Sequence, residues 1–293
     1  YHVFYLGEIK MPDNQITNKI PIVTTTLSLN DIKQIISTLK NRLDEASTFE
    51  VNNFLKADGV SDEDFAHSKA LLKESFKFGI IINGENGQSI SGFDETIFDS
   101  PIFPDTVSSI YIESKASCRA LRGTDPLNWL ELNFDFTKPP LLDWKNTVSG
   151  PTPNWSSITV SGKNEAWVAA VIHGLNEKLK QRRNRRKFLH LAFTYDIFLW
   201  ALMIPLGLWV PFKLVSQISS FYDGRSQVFE IATFIYVFFG ILLGYRILFG
   251  YTKWAWPTIE LEKVNSLTVK HRRFWYLVIV GVVSGLIVLG VAN

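Results

Sequence analysis

The sequence contains a single cysteine, Cys118, so no disulfide can form within the chain. This agrees with a reducing compartment, where structural disulfides are rare. Residues 1–9 are too short for a cleavable signal peptide and lack its basic region. We therefore expect no cleavable signal peptide in this sequence.

Recurrent enzyme motifs are also missing, since no nucleophile elbow, Walker loop or dinucleotide-binding fingerprint is present. Residues 84–87 (GENG) are glycine-rich, but they lack the Gly-Lys-Ser/Thr ending of a phosphate-binding loop and instead predict a hairpin turn. The five histidines lack the spacing of metal ligands. We therefore predict a protein without enzymatic activity, cofactor or metal.

Negative charge dominates the first 180 residues, which carry 23 acidic and 17 basic side chains, or −6. Residues 181–187 add +5 and the remaining residues add +3, which gives the total of +2. Because nucleic-acid binding requires a basic face, this distribution argues against general binding of nucleic acids.

The most informative pattern is a basic cluster followed directly by an apolar run, residues 188–210. About 23 apolar residues allow a helix to cross the roughly 30 Å hydrocarbon core of a membrane. Basic residues beside such a helix stay on the cytoplasmic side, so residues 1–180 are predicted to be cytoplasmic. The basic residues, which we expect to face membrane lipids, are Arg182, Arg183, Arg185, Arg186 and Lys187.

Two further spans are predicted at residues 228–249 and 274–291. The loop between them carries five basic residues, whereas the loop between the first two spans carries only two, so the C-terminus is predicted to be external. The alternative is that these two segments are buried helices of a large soluble core. The chain thus divides into a cytoplasmic domain (1–180), a juxtamembrane linker (181–187) and a transmembrane domain (188–293).

The sequence predicts that the cytoplasmic domain is α+β, mainly an antiparallel sheet with helices on one face. Helices are predicted at residues 29–43, 62–75 and 164–180 from their apolar periodicity and capping residues. Strands are predicted at residues 1–9, 20–26, 76–83, 88–91, 108–114, 129–136 and 156–160. No proline occurs between Asn164 and Pro205, so the last helix either continues into the first span or breaks at Asn184.

Two charged residues lie inside predicted spans. Asp196 is about nine residues into span one, and Arg246 lies towards the inner end of span two. A carboxylate within a membrane is costly and is normally paired or faces an aqueous path. The sequence leaves open an ion pair between Asp196 and Arg246, a polar contact in a pore or gate, and a proton relay.

Glycines four residues apart let helix backbones approach closely. Gly240 with Gly244, and Gly281 with Gly285, match this pattern in spans two and three. They predict helix packing, either within one chain or between copies in a homo-oligomer.

Three basic residues, Lys115, Arg119 and Arg122, cluster in one loop of an otherwise acidic domain. They predict a site for a small anionic ligand, such as a nucleotide or phosphate. The alternative is a solvated loop or salt bridges to neighbouring acids.

Residues 258–264 and 267–270 alternate apolar and polar side chains around Asn265-Ser266, which predicts a β-hairpin between spans two and three. Its apolar face would pack on the cytoplasmic domain or on a neighbouring subunit; this face is Ile259, Leu261, Leu267 and Val269. The alternative is a disordered loop.

A cytoplasmic domain joined to a few membrane helices resembles, in architecture alone, the bacterial membrane effectors of anti-phage signalling systems. We therefore predict an integral membrane protein whose cytoplasmic domain binds a ligand or protein partner and controls an oligomeric, pore-forming or membrane-perturbing assembly. The alternative is a non-enzymatic adaptor that anchors a partner complex at the membrane.

Overall fold

The computed structural model of the chain describes residues 7–9, 14–140, 149–219, 227–262 and 267–278. The chain forms two compact units. The first comprises Tyr1–Thr137, Asn154–Asn184 and Ile259–Glu262, and the second comprises Lys138–Pro153, Arg185–Thr258 and Lys263–Asn293.

The elements are numbered in chain order. The strands are β1 Gly7–Ile9, β2 Ile16–Pro21, β3 Thr25–Leu27, β4 Phe54–Lys56, β5 Gly79–Gly84, β6 Ser89–Gly92, β7 Val107–Glu113, β8 Trp129–Asp135, β9 Ser157–Gly162 and β10 Ile259–Leu261. The helices are α1 Leu29–Asn52, α2 Asp62–Glu74, α3 Ala116–Arg122, α4 Glu165–Gln181, α5 Thr194–Phe198, α6 Ile204–Ser219 and α7 Gln227–Ala255.

Alternation of apolar and polar residues builds the main sheet of the first unit. Its six strands are all antiparallel to their neighbours, in the spatial order β2-β9-β8-β7-β5-β6. In β8, Leu130, Leu132 and Phe134 are fully buried, whereas the residues between them stay partly exposed. One face of the sheet therefore joins the core, as a period of two residues requires. The prediction of an α+β region with an antiparallel sheet is confirmed.

Two capped helices complete this core. At the start of α1, the Ser28 hydroxyl accepts a hydrogen bond from the Asp31 amide, and the Asp31 carboxylate accepts one from the Ser28 amide. At the start of α4, the Asn164 side chain accepts from the Trp167 amide. The apolar stripes of both helices join the buried face of the sheet in one hydrophobic cluster.

The second unit contains two long helical runs. The first passes through α5, a π-helical turn at Leu199–Met203 and α6, and the second is α7. At 1.5 Å per residue, Thr194–Gln217 (24 residues) and Gln227–Ala255 (29 residues) extend about 36 and 44 Å, more than the roughly 30 Å core of a membrane. Only 11% and 6% of their most apolar stretches are buried, unlike the core helices of a soluble protein. By length and composition, both helices could cross a membrane.

The first predicted span begins six residues later than expected, at Thr194 instead of residue 188. Arg185–His190 form a 3-10 helix, and Phe193 adopts a left-handed φ of 64°, which separates the two helices. Helix α4 has already ended at Gln181. The alternative of a break near Asn184 is therefore confirmed over a continuous helix.

The other two predicted spans differ in how much of them is described. Residues 228–249 lie within α7, as predicted. Residues 274–278 are helical together with residues 267–273, and residues 279–291 lie outside the described part of the chain. The described residues thus contain two helices that are long enough to span a membrane, not three.

The predicted β-hairpin between spans two and three is wrong in its second arm, because residues 267–270 are helical. Its first arm is strand β10, which pairs in parallel with β3 of the first unit. The predicted packing of Ile259 and Leu261 is confirmed, since Ile259 is buried in the core of that unit and Leu261 packs against it. Leu267, predicted on the same face, is 62% exposed. Pairing with β3 avoids an isolated hairpin, which would be marginal in water.

Candidate functional site

The candidate site is built around the three-residue strand β3 of the first unit. On one side, β3 pairs in parallel with β10, with Thr25 opposite Ile259 and Leu27 opposite Leu261. The Glu262 amide extends this pairing by donating to the Leu27 carbonyl over 2.6 Å. Leu27 and Ile259 are 0% and 2% exposed, so the pairing is part of the hydrophobic core.

The other side of β3 holds residues 182–184, which follow α4. Thr25 and Arg183 form an antiparallel bridge. The Thr26 amide donates to the Arg182 carbonyl over 3.2 Å, and the Asn184 amide donates to the Thr24 carbonyl over 2.8 Å. The Asn184 side-chain amide also donates to the Thr26 hydroxyl over 3.1 Å. We call β3, residues 182–184 and Ile259–Glu262 together the β3 junction.

An ion pair adds to the junction at the first turn of α1. The Arg182 guanidinium lies 2.6 Å from the carboxylate of Asp31, whose side chain is 7% exposed. Burial acts to raise the pKa of Asp31, but hydrogen bonds from Ser28 and the charge of Arg182 outweigh it and lower that pKa. Asp31 is therefore a carboxylate at neutral pH that both caps α1 and fixes Arg182.

The β3 junction lies next in the chain to both membrane-length helices. Nine residues lie between Asn184 and Thr194, where the first of these helices begins, and three lie between Ala255, the last residue of α7, and Ile259. Strand β3 therefore contacts two segments: residues 182–184, which lead into the helical run that starts at Thr194, and residues 259–262, which follow α7.

A second polar cluster lies in the second unit, around His190. Its Nε2 lies 2.7 Å from the Trp256 carbonyl oxygen, and its Nδ1 lies 2.9 Å from the Thr152 hydroxyl oxygen. A carbonyl only accepts, so Nε2 carries the hydrogen and Nδ1 of the neutral ring accepts from Thr152. Burial lowers the pKa of His190, with smaller lowering effects from Lys253 and Arg186, against the raising effect of the Trp256 hydrogen bond. His190 thus joins three separate segments in its neutral form.

Asp196 is the third residue of its helix, rather than nine residues into the span. Its carboxylate accepts a hydrogen bond of 2.8 Å from the Ser149 hydroxyl, and the Phe193 amide donates to the Ser149 carbonyl over 2.9 Å. Next to it, the Tyr245 hydroxyl of α7 donates to the Tyr195 carbonyl over 2.8 Å. The start of this helix is therefore held by polar contacts from two other segments. The pairing of Asp196 with Arg246 stays a prediction.

The three basic residues predicted to bind an anion are each engaged with a carboxylate. Lys115 forms an ion pair with Glu131 and lies over the ring of Trp129, 4.0 Å from its centroid. Arg119 pairs with Asp125 at the surface. Arg122 pairs with Glu50, which is fully buried. These pairs offset the positive charge, so the geometry favours the alternative of local salt bridges, and anion binding stays a prediction without support.

The glycines predicted to pack helices occupy open positions in the single chain. A Cβ atom built on Gly240 or Gly244 would meet nothing within 4 Å. The close approach of α6 to α7 occurs instead at Gly207, where an added Cβ would lie 3.2 Å from the Phe238 ring. Gly281 and Gly285 lie outside the described residues.

The basic linker divides between the two units. Arg182 and the backbone of Arg183 belong to the β3 junction. The side chains of Arg183, Arg185 and Lys187 are exposed, and Arg186 is partly buried. Their contact with lipid stays a prediction.

The sequence analysis did not predict the contacts of His190 with Thr152 and Trp256, or the contact of Asp196 with Ser149. His190 lies within an apolar run, and residues 149–154 (SGPTPN) show no periodic pattern. The described residues contain no group of three or more His, Cys, Asp or Glu side chains that could hold a metal ion.

Comparison of this chain with protein-family models, curated proteins and solved structures gives no match. The functional argument therefore rests on the geometry of the β3 junction and on the two membrane-length helices.

Proposed function

We propose that this chain is an integral membrane protein whose N-terminal domain is cytoplasmic, binds a ligand or partner protein, and controls an oligomeric assembly of its membrane helices. The assembly would form a pore or otherwise perturb the membrane, as in the anti-phage effectors that the architecture resembles. The proposal assigns no catalytic chemistry, cofactor or metal to the chain.

The β3 junction is the observation that carries this proposal. A protein that only anchors a domain at a membrane needs one connection to its helices. Here β3 pairs on one side with residues 182–184 and on the other with Ile259–Glu262. A change in the N-terminal domain that moved β3 would therefore act on both helices together.

The hydrogen bonds of the β3 junction contribute a free energy similar in size to the difference between two functional conformations. Besides the β-ladder, four hydrogen bonds tie the two connecting segments to residues 24–27. At a net of about 1 kcal/mol each, they amount to roughly 4 kcal/mol. Functional conformations typically differ by a few kcal/mol, so loss or rearrangement of these bonds suffices to change their populations.

Flux measurements on the full chain test the proposal. Purified protein would be reconstituted into liposomes loaded with potassium ions, and efflux would be followed with an ion-selective electrode. We expect protein-dependent efflux, and a several-fold change in its rate for Ile259→Asp, because a carboxylate at this buried position separates β10 from the core. Ile102→Asp is the matched control, since Ile102 is 62% exposed in the same unit.

Each outcome has a distinct meaning. Equal efflux from Ile259→Asp, Ile102→Asp and the unchanged protein would support a pore but contradict its control through β3. No efflux from the unchanged protein, together with a partner that co-purifies in stoichiometric amounts, would favour the adaptor over the effector.

A further inference from the structure

The second unit contains a pocket that the proposed function does not use. It lies between the end of α7 and the helix at residues 267–278, and has an open volume of about 560 Å3, within the range of ligand sites. Its lining combines apolar and aromatic side chains with two guanidinium groups: Trp256, Val269, Arg272, Arg273, Trp275 and Tyr276.

Two contacts fix the walls of this pocket. The Arg272 guanidinium donates to the carbonyl of Ala255, the last residue of α7, over 2.7 Å. The Trp275 indole N–H donates to the Tyr251 hydroxyl over 2.8 Å. Contacts within the chain therefore hold Arg272 and Trp275 in place, which reduces the entropic cost of binding.

The pocket has the composition of a membrane–water interface. Helix α7 extends about 44 Å, longer than the roughly 30 Å hydrocarbon core, so its end can reach the headgroup layer. Trp and Tyr are enriched at that depth, because their rings are apolar and their N–H or O–H groups are polar. A guanidinium group matches the oxygens of a phosphate, and two of the residues that line the pocket, Arg272 and Arg273, carry one.

The charge of the membrane-length helices favours a lipid over the helices of a second copy of the chain as the occupant. Residues 204–219, 231–258 and 267–293 contain no Asp or Glu. The acids of the two membrane-length helices are Asp196, which accepts from Ser149, and Glu230, in the first turn of α7 and about 38 Å along the helix from Ala255. A second copy would thus bring no helix carboxylate to Arg272 and Arg273, whereas an anionic phospholipid brings a phosphate and acyl chains.

We propose that this pocket, at Trp256, Arg272, Arg273, Trp275 and Tyr276, binds one anionic phospholipid by its headgroup phosphate. The acyl chains would lie against the apolar lining. The proposal requires the helices to be in a membrane but does not depend on pore formation.

Native mass spectrometry of the full chain in detergent tests this proposal. Equal amounts of phosphatidylglycerol and phosphatidylcholine would be added, and bound lipid counted by mass. We expect preferential retention of one phosphatidylglycerol, and about fivefold weaker retention in Arg273→Gln, from the attraction of one basic residue for anionic lipid. Lys73→Gln removes an exposed charge of the first unit, outside the pocket, and should retain the lipid as the unchanged protein does.

Several results would overturn the assignment. Equal retention of phosphatidylglycerol and phosphatidylcholine by the unchanged protein would contradict the proposal. This part of the test does not depend on whether the variants fold. Equal losses of bound lipid in Arg273→Gln and Lys73→Gln would indicate a diffuse attraction instead of a site. Displacement of the lipid by excess inorganic phosphate would assign the pocket to a free anion. A dimer that is observed for the unchanged protein and absent for Arg273→Gln would assign the pocket to a second copy of the chain.

Discussion

Glu50 is a charged residue at the centre of the first unit. Its carboxylate is 0% exposed, lies 2.5 Å from Arg122, and accepts a hydrogen bond of 2.8 Å from the Leu127 amide. A buried carboxylate of this kind is tolerated only while its partners are present. Glu50 therefore ties α1 to the chain segment that contains α3.

Replacing Arg122 with Leu should lower the free energy of unfolding of the first unit by about 3–5 kcal/mol, because the buried side chain of Glu50 would lose its ion-pair partner. Urea denaturation followed by far-UV circular dichroism measures this change. Arg119→Leu is the control, since the Arg119–Asp125 pair is at the surface, and should cost about 1 kcal/mol or less. Equal effects of the two substitutions would contradict the structural role of Glu50.

His190 predicts a pH dependence in the second unit. Burial lowers the pKa of His190 from its ordinary value of about 6.5. Between the lowered pKa and 6.5, an opened form of the cluster binds more protons than the closed form. Opening should thus become easier as the pH falls through this window, by at most about 1.4 kcal/mol per pH unit, and should not change above it.

Hydrogen exchange of the Thr152 amide, which donates to the His190 carbonyl, measures this opening. After correction for the intrinsic pH dependence of exchange, protection should decrease below pH 6.5 in the unchanged protein and not in His190→Gln. His173→Gln is the control, because the His173 side chain is 78% exposed, and should behave as the unchanged protein. A decrease that persists in His190→Gln would locate the titrating group elsewhere.

At the scale of elements, strand β10 should be a stable part of the first unit and not a mobile loop. The Glu262 amide, bonded to the Leu27 carbonyl, should exchange slowly. Ile259→Ala should destabilise this pairing by about 2–5 kcal/mol, because the Ile259 side chain is 2% exposed. Residues 259–262 would then exchange faster.

Ile102→Ala provides the comparison for this element, since Ile102 is 62% exposed and its truncation should change stability by about 0.5 kcal/mol or less. Rapid exchange of the amides of residues 259–262 in the unchanged protein would contradict a stable pairing between β3 and β10.

At the scale of the whole molecule, the distribution of basic residues predicts the topology. Reporter fusions after Lys180 and within residues 260–270 should be cytoplasmic, because the basic residues concentrate there. With three spans, a fusion at the C-terminus should be external. A cytoplasmic C-terminus would mean that one of the three predicted spans was miscounted.

Local patterns were enough to predict most elements of the first unit. The apolar stripe that starts at Leu29, with Ser28 or Asn30 as its cap, predicted the start of α1, and the alternation in residues 129–136 predicted β8 and its buried face. These features depend on neighbours in the chain, through a cap or a period of two residues. The end of α1 was placed at residue 43 instead of Asn52, because its last turns include the buried Glu50, whose ion-pair partner is distant in sequence.

The sequence by itself determined that the chain has an acidic α+β region, a basic linker and helices long enough to cross a membrane, because composition and periodicity are local properties. Only the tertiary structure decided that β10 pairs with β3 instead of forming a hairpin, that Arg122 pairs with Glu50, and that His190 joins three segments. Each of these contacts joins residues far apart in the chain. Which distant partner satisfies a backbone edge or a buried charge depends on the packed fold, and no local pattern specifies it.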